Sequence, residues 1–190
     1  MINQDFWTKT NDAQAEYDKS RRIIISQSNK ALHAAKQAIF ALHRNNTEES
    51  ALKIEESKEI LVNLEKDFDK DSGLLYEGAW KAAREEFVEA SLFMMFVKGE
   101  EVGEIKGLKI RSEEYLGGLS DYTGELFRRA ILLSSKRKFD DVKVIAEEIS
   151  DVIDKLLAYN LTGLMRTKFD QAKKNLNKIE QVLYEISFKQ

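Results

Sequence analysis

The sequence has no proline and no cysteine among its 190 residues. At an average usage of about 5%, a chain of this length would carry roughly 9 or 10 prolines. Their absence disfavours turn-rich β folds and Pro-rich linkers and favours long, uninterrupted helices. The absence of cysteine excludes disulfides, thiolate metal sites and cysteine nucleophiles, and it suits a reducing compartment, so we expect a cytoplasmic protein.

Long hydrophobic runs are missing as well. The longest covers only residues 92–97, far short of the roughly 20 residues that span a bilayer. The first residues include no basic segment followed by an apolar run, so we expect neither a signal peptide nor a membrane partner. The length predicts a single domain over residues 1–190.

Apolar residues recur with helical periodicity along almost the whole chain. The pattern predicts an all-α protein, an antiparallel bundle of about six or seven helices with short connections. Thr47 and Ser112 are each followed by two glutamates and are predicted to cap the second and fourth helices. The third helix is predicted over residues 74–98, after a break at Ser72-Gly73. Three glycines between residues 99 and 107 mark the chief loop.

The net charge of −3 hides an uneven distribution, because no Asp or Glu occurs between Lys19 and Arg44. A polar and basic stripe follows one face of the predicted first helix at spacings near three and four, and it consists of Arg22, Ser26, Lys30, His33, Lys36 and Arg44. Such a stripe is typical of surfaces that bind the phosphates of a single-stranded nucleic acid. The alternative is an ordinary solvated helix face. The four residues predicted to contact phosphates are Arg22, Lys30, Lys36 and Arg44.

Two pairs of acids stand out on the third and fourth helices. Glu86 and Glu89 are three residues apart within an apolar stripe, and Asp121 and Glu125 are four apart beside several glycines. Glycines inside a helix indicate the close approach of another helix or of a ligand. If the two helices pack together, the four carboxylates can converge into an oxygen-rich site that suits Mg²⁺, or alternatively Mn²⁺. The competing interpretations are ion pairing of the glutamates and tight helix packing without a ligand.

Several motifs resemble the translin family, and more closely its Trax (translin-associated factor X) branch. The matching segments are LGGLSDYTGELFR at residues 116–128, EFVEA at 86–90, AAKQAIFALHR at 34–44 and KKNLNKIEQVLY at 173–184. The resemblance implies a helical subunit of an oligomer, typically an octamer, that binds single-stranded nucleic acid. The short loop from Gly99 to Arg111 is similar to that of compact homologues that assemble from one chain type.

The resemblance also implies an activity. In Trax, acids of two of these motifs form a Mg²⁺-dependent endoribonuclease site, whereas translin lacks the acidic set and mainly binds. The matched acids in this sequence are Glu86, Glu89, Asp121 and Glu125. The favoured hypothesis is therefore a homo-oligomeric, metal-dependent endoribonuclease that acts on single-stranded RNA, with DNA as a second candidate ligand. A non-catalytic binder of translin type and a helical scaffold are the alternatives.

One further cation follows the second acidic pair. Arg128 lies three residues after Glu125, within reach of it on a helix. It is either a salt-bridge partner of that acid or a clamp on the scissile phosphate. We favour the salt bridge.

Overall fold

A computed structural model describes residues 2–68 and 73–188, and in these ranges the chain is helical with no β-strand. The all-α prediction is confirmed. No helix in the described part is both long and apolar enough to cross a membrane. The six helices are α1 (Gln4–His43), α2 (Thr47–Asp67), α3 (Gly78–Lys98), α4 (Ser112–Ser135), α5 (Phe139–Leu157) and α6 (Gly163–Ser187).

Helices that follow one another in the chain pack against each other, and they enclose two hydrophobic cores. α1 lies against α2 and α3, α4 packs on α3, and α5 and α6 cover the other side of α4. The smaller core lies between α1, α2 and the start of α3 and includes Ile24, Leu61, Trp80 and Phe87. The larger one joins the end of α1 to α3, α4, α5 and α6 and includes Leu42, Phe93, Tyr122 and Ile149.

The two halves of α1 have different environments. In the second half, small side chains such as Ala31, Ala35 and Ala38 are fully buried, so the backbone of α1 comes close to its neighbours. Residues 2–19 are exposed at every position. Asn3 caps this end by accepting a hydrogen bond from the Phe6 amide at 3.0 Å. The first half of α1 therefore extends beyond the bundle.

Both predicted N-caps are wrong by one residue. Asn46, not Thr47, caps α2, because its side chain accepts a hydrogen bond from the Glu49 amide at 3.1 Å. At α4 the cap position is Arg111 rather than Ser112, and the Arg111 amide donates to the Glu114 carboxylate at 2.9 Å. In each case the residue immediately before the predicted cap occupies the cap position and takes part in the hydrogen bonds of the first turn.

The third helix starts later than predicted. Residues Leu74–Tyr76 form a separate 3-10 turn, and α3 itself starts at Gly78. Gly73 precedes the turn with a positive φ of 73°, a backbone conformation that favours glycine. Ser72, the other residue of the predicted break, lies outside the described residues.

A buried arginine ties α3 to its neighbours. The Arg84 guanidinium is fully buried and donates to the carboxylates of Glu114 and Glu65, each at 2.7 Å, and to the Lys109 carbonyl. A buried charge needs such partners, because burying it alone costs several kcal/mol. The network joins α3 to α2, to the 99–111 loop and to α4, and it holds the acidic segments of α3 and α4 in register.

Candidate active site and nucleic-acid face

Two glycines bring the backbones of α3 and α4 close together. A Cβ atom on Gly118 would lie 2.6 Å from the Glu85 carbonyl oxygen and 2.6 Å from the Val88 side chain, and one on Gly117 would lie 2.8 Å from the Glu85 carboxyl carbon. Gly124 is different, since only the Asn175 amide nitrogen would be near, at 3.7 Å. Helix packing therefore explains the first two glycines, and it places the two acidic motifs side by side.

The four predicted acids lie in one region between α3 and α4. Burial raises the pKa of Glu86 to about 7, and repulsion from Asp121 and Glu125 adds to the effect. The pKa of Glu89 is well above its ordinary value, first because of burial and then because of the charges of the other three acids. The structure thus brings Glu86, Glu89, Asp121 and Glu125 close enough to repel one another.

Cations from two other helices surround this acidic cluster (Glu86, Glu89, Asp121 and Glu125). Lys168 of α6 contacts Asp121 directly and lies 3.0 Å from the neighbouring Glu85 carboxylate. The Lys36 ammonium of α1 is 3.9 Å from Glu86. Sequence reasoning did not assign Lys168 to the site, and no spacing in the sequence indicates that the start of α6 reaches α4.

Polar atoms at and beside the cluster lack hydrogen-bond partners within the described chain, and the buried Oε1 of Glu85 is one of them. Nε2 of His43 lies 2.5 Å from the Glu125 carboxylate, while the buried Nδ1 has no hydrogen-bond partner among the described residues. Glu89 is only 8% exposed and has no hydrogen bond or ion pair with any residue that the structure describes. A buried carboxylate is costly in its charged form, and the charge of Lys168 offsets this cost only in part, so Glu89 is the acid of the cluster most in need of a cation.

The donor set fits a divalent metal. Carboxylate oxygens face the cluster from both α3 and α4, and hard cations such as Mg²⁺ prefer these ligands. With the side chains as they lie, no three Asp, Glu or His residues of the described chain are close enough to bind one ion. Binding would therefore require a carboxylate to rotate, and Asp121 would have to leave Lys168. Glu86, Glu89, Asp121 and Glu125 remain the predicted ligands.

The basic stripe of α1 ends beside this cluster. Arg22 and Lys30 are exposed and form no ion pair within residues 2–68 and 73–188. Lys36 reaches Glu86, as described above, and Arg44 donates two hydrogen bonds to the Glu49 carboxylate, at 3.0 and 3.1 Å. Arg22 and Lys30 are thus free to contact a polyanion, whereas Arg44 already has a partner on α2.

The favoured role of Arg128 is confirmed, because its guanidinium lies 3.6 Å from the Glu125 carboxylate. The same group also lies over the ring of Phe40, 4.8 Å from its centroid. Phe40 is on the exposed face of α1, one turn from both Lys36 and Arg44. Sequence reasoning did not single out this phenylalanine.

Comparison with solved structures shows the same fold. A crystal structure of apo-NeC3PO has a TM-score of 0.84 to this chain at 18% sequence identity, and the match covers 97% of each chain. A complex of AfC3PO with duplex RNA has a TM-score of 0.87 at 18% identity, again with 97% of each chain covered. A crystal structure of AfC3PO gives 0.87 and 18%, over 97% of this chain and 98% of its own.

Sequence comparison identifies the family independently. A search of the curated proteins gave no significant match. The model of the translin family, in contrast, matches residues 19–190. This match includes the basic second half of α1 and both acidic motifs, and it spans far more than half of the chain, so the protein belongs to the translin family.

Proposed function

We propose that this protein is a metal-dependent endoribonuclease for single-stranded RNA, of the Trax-like branch of its family. The observation that carries the proposal is Glu89, a buried carboxyl group that forms no ion pair within the described chain and lies near three further acids. Four acids beside a cationic face repel phosphates unless a cation neutralises them, so the cluster fits a metal-binding site better than a surface that only binds nucleic acid.

Glu86, Glu89, Asp121 and Glu125 would hold Mg²⁺, or alternatively Mn²⁺. The bound metal would activate water for attack and neutralise charge on the scissile phosphate. His43 fixes the orientation of the Glu125 carboxylate through its 2.5 Å contact. Lys168 holds Asp121 and Glu85 together across the helix interface until a ligand competes for the aspartate.

The basic stripe of α1 would bring the substrate to these acids. Arg22 and Lys30 are exposed without ion pairs in the described chain, and Lys36 lies at the edge of the cluster. A phosphate bound by Lys36 is therefore next to Glu86. The similarity to AfC3PO, which has been solved with duplex RNA, supports RNA as the ligand, and the exposed stripe favours a flexible single strand, with DNA as a second candidate.

We further propose a cytoplasmic homo-oligomer, an octamer by resemblance to the family. The exposed first half of α1 supports association, since Phe6 and Trp7 are 69% and 52% exposed there. The short 99–111 loop supports assembly from one chain type. Sedimentation velocity at several protein concentrations tests this part independently of catalysis.

The test of the activity is cleavage of end-labelled single-stranded RNA by wild type and Glu89→Gln, with Mg²⁺ and with EDTA. Glu89→Gln keeps the shape of the side chain and removes its charge. We expect Mg²⁺-dependent cleavage that falls at least 100-fold in this variant, while RNA affinity in EDTA stays within about twofold. Glu147→Gln is the matched control, because Glu147 is an exposed glutamate on α5. Cleavage that survives Glu89→Gln would show that the site is wrong.

One observation favours the alternative of a non-catalytic binder. Three of the four acids already have cationic or imidazole neighbours, namely Lys36, Lys168 and His43, and could be structural. In that case RNA affinity would be complete in EDTA and no metal would produce a cleavage product.

A further inference from the structure

Phe40 is a large apolar side chain on the polar face of α1. It is 49% exposed, although its neighbours Ile39 and Ala41 are buried. The periodicity of the helix places its ring on the same face as Lys36 and Arg44, one turn to either side. A phenylalanine in the middle of a cationic stripe has no role in binding phosphates. This face of α1 therefore offers an apolar, aromatic contact as well as positive charge.

The surroundings of Phe40 connect it to the acidic cluster. The Arg128 guanidinium lies 4.8 Å from the ring centroid and 3.6 Å from Glu125. Lys36, one turn earlier on α1, is 3.9 Å from Glu86. The ring therefore contacts a cation that itself contacts Glu125, and it lies one helical turn from a lysine that contacts Glu86. A nucleotide on the ring would lie next to the cluster.

We propose that Phe40 and Arg128 form a stacking site for an unpaired nucleobase, immediately beside the acidic cluster. This inference rests on the proposed function and adds to it the group that positions the strand. The exposed part of the ring would stack on the base. Arg128, which also contacts Glu125, would fix the orientation of the ring. Lys36 would then hold the adjoining phosphate.

The chemistry of stacking selects for single strands. Every base has a π-face, so the site would accept all four bases with similar strength. In a duplex the faces of the bases are covered by their neighbours, and a duplex could use only the charges of the stripe. The site therefore predicts a preference for single strands that does not come from charge.

The chain contains a matched control pair. Tyr76 is 75% exposed and lies under the guanidinium of Arg111, whose carbon is 5.6 Å from the ring centroid. This pair has the same arrangement of arginine over an exposed aromatic ring. Arg111 bonds Glu114 rather than a member of the acidic cluster. Tyr76→Ala therefore removes an equivalent ring that lies outside the proposed site.

The experiment measures affinity for labelled single-stranded and duplex RNA of equal length, in EDTA and at several salt concentrations. We expect Phe40→Ala to weaken single-strand binding about tenfold, the equivalent of one lost stacked base. Its salt dependence should keep the wild-type slope, whereas Lys30→Ala should lower the slope by about 0.7. Phe40→Trp should restore affinity, and Tyr76→Ala should bind like wild type.

Three results would overturn the inference. The first is that Phe40→Ala binds single strands as tightly as wild type, and the second is that it loses as much affinity for the duplex as for the single strand. The third is a changed sedimentation coefficient, which would assign the ring to an interface between subunits. The proposed activity fails separately, if wild type cleaves no RNA with Mg²⁺. In that case a selective loss of single-strand affinity in Phe40→Ala would still support the stacking site.

Discussion

Neutralising Glu86 should stabilise the metal-free protein at neutral and higher pH. In the folded chain its pKa is about 7 instead of 4.5, because the carboxylate is buried near Asp121 and Glu125. Each pKa unit corresponds to about 1.4 kcal/mol, so the charged form costs the folded state up to roughly 3–4 kcal/mol. Glu86→Gln removes the charge at nearly constant volume and should recover most of this amount.

The pH dependence follows from the direction of the shift. Between pH 4.5 and 7 the folded protein keeps a proton on Glu86 that the unfolded chain has released. The free energy of unfolding therefore falls as the pH rises through this window, and the full cost is present above pH 7. Glu89 adds to the same trend, because its pKa is also raised. Glu86→Gln should flatten the curve.

Urea denaturation in EDTA at pH 5 and pH 8, at one fixed protein concentration, measures the effect. Glu147→Gln serves as the control and should follow wild type at both pH values. With Mg²⁺ the order should reverse, because wild type would gain a bound ion that Glu86→Gln holds less tightly. Equal stability of wild type and Glu86→Gln at pH 8 in EDTA would refute the electrostatic reasoning.

Two further predictions concern the interface between α3, α4 and α6. Gly118→Ala should cost about 1–3 kcal/mol of unfolding free energy and weaken Mg²⁺ binding, since its Cβ would lie 2.6 Å from the Glu85 carbonyl oxygen. Gly124→Ala, which meets no atom nearer than 3.7 Å, should instead raise the melting temperature slightly; equal effects of the two variants would contradict the packing argument. Lys168→Met should destabilise the metal-free protein by about 2 kcal/mol, because Asp121 and Glu85 lose their shared cation. Titration with Mg²⁺ should stabilise this variant more than wild type, and a smaller gain would contradict a metal site at Asp121.

Local sequence signals were sufficient for the helices and for the pairing of the acids. Apolar periodicity and the absence of proline predicted the all-α bundle, and the spacing of Glu86 and Glu89 put both on one face of α3. The glycines at 117 and 118 indicated a close approach, which the packing of α4 on Glu85 and Val88 explains. These inferences succeeded because each depends on residues within two turns of one another.

Contacts between distant helices could not be predicted in this way. Lys168 is 47 residues from Asp121 in sequence and His43 is 82 from Glu125, and periodicity identifies the face of a helix but not its partner. The cap of α2 was predicted one residue too late for a local reason. Asn46 and Thr47 can both cap a helix, and only the backbone conformation decides which of them does.

The extension of α1 beyond the bundle has a consequence for the exchange of its own amide protons. Residues 4–19 make a helical extension about 24 Å long that gains no burial within the described chain. A lone helix of this length is only marginally stable in water. Its amides should therefore exchange with solvent within seconds in an isolated subunit, while those near Ala35 and Ala38 exchange only on unfolding. A surface that covers the first half of α1 would remove this difference in exchange rates. The free energy of ordering that half therefore contributes to association rather than to the folding of one chain.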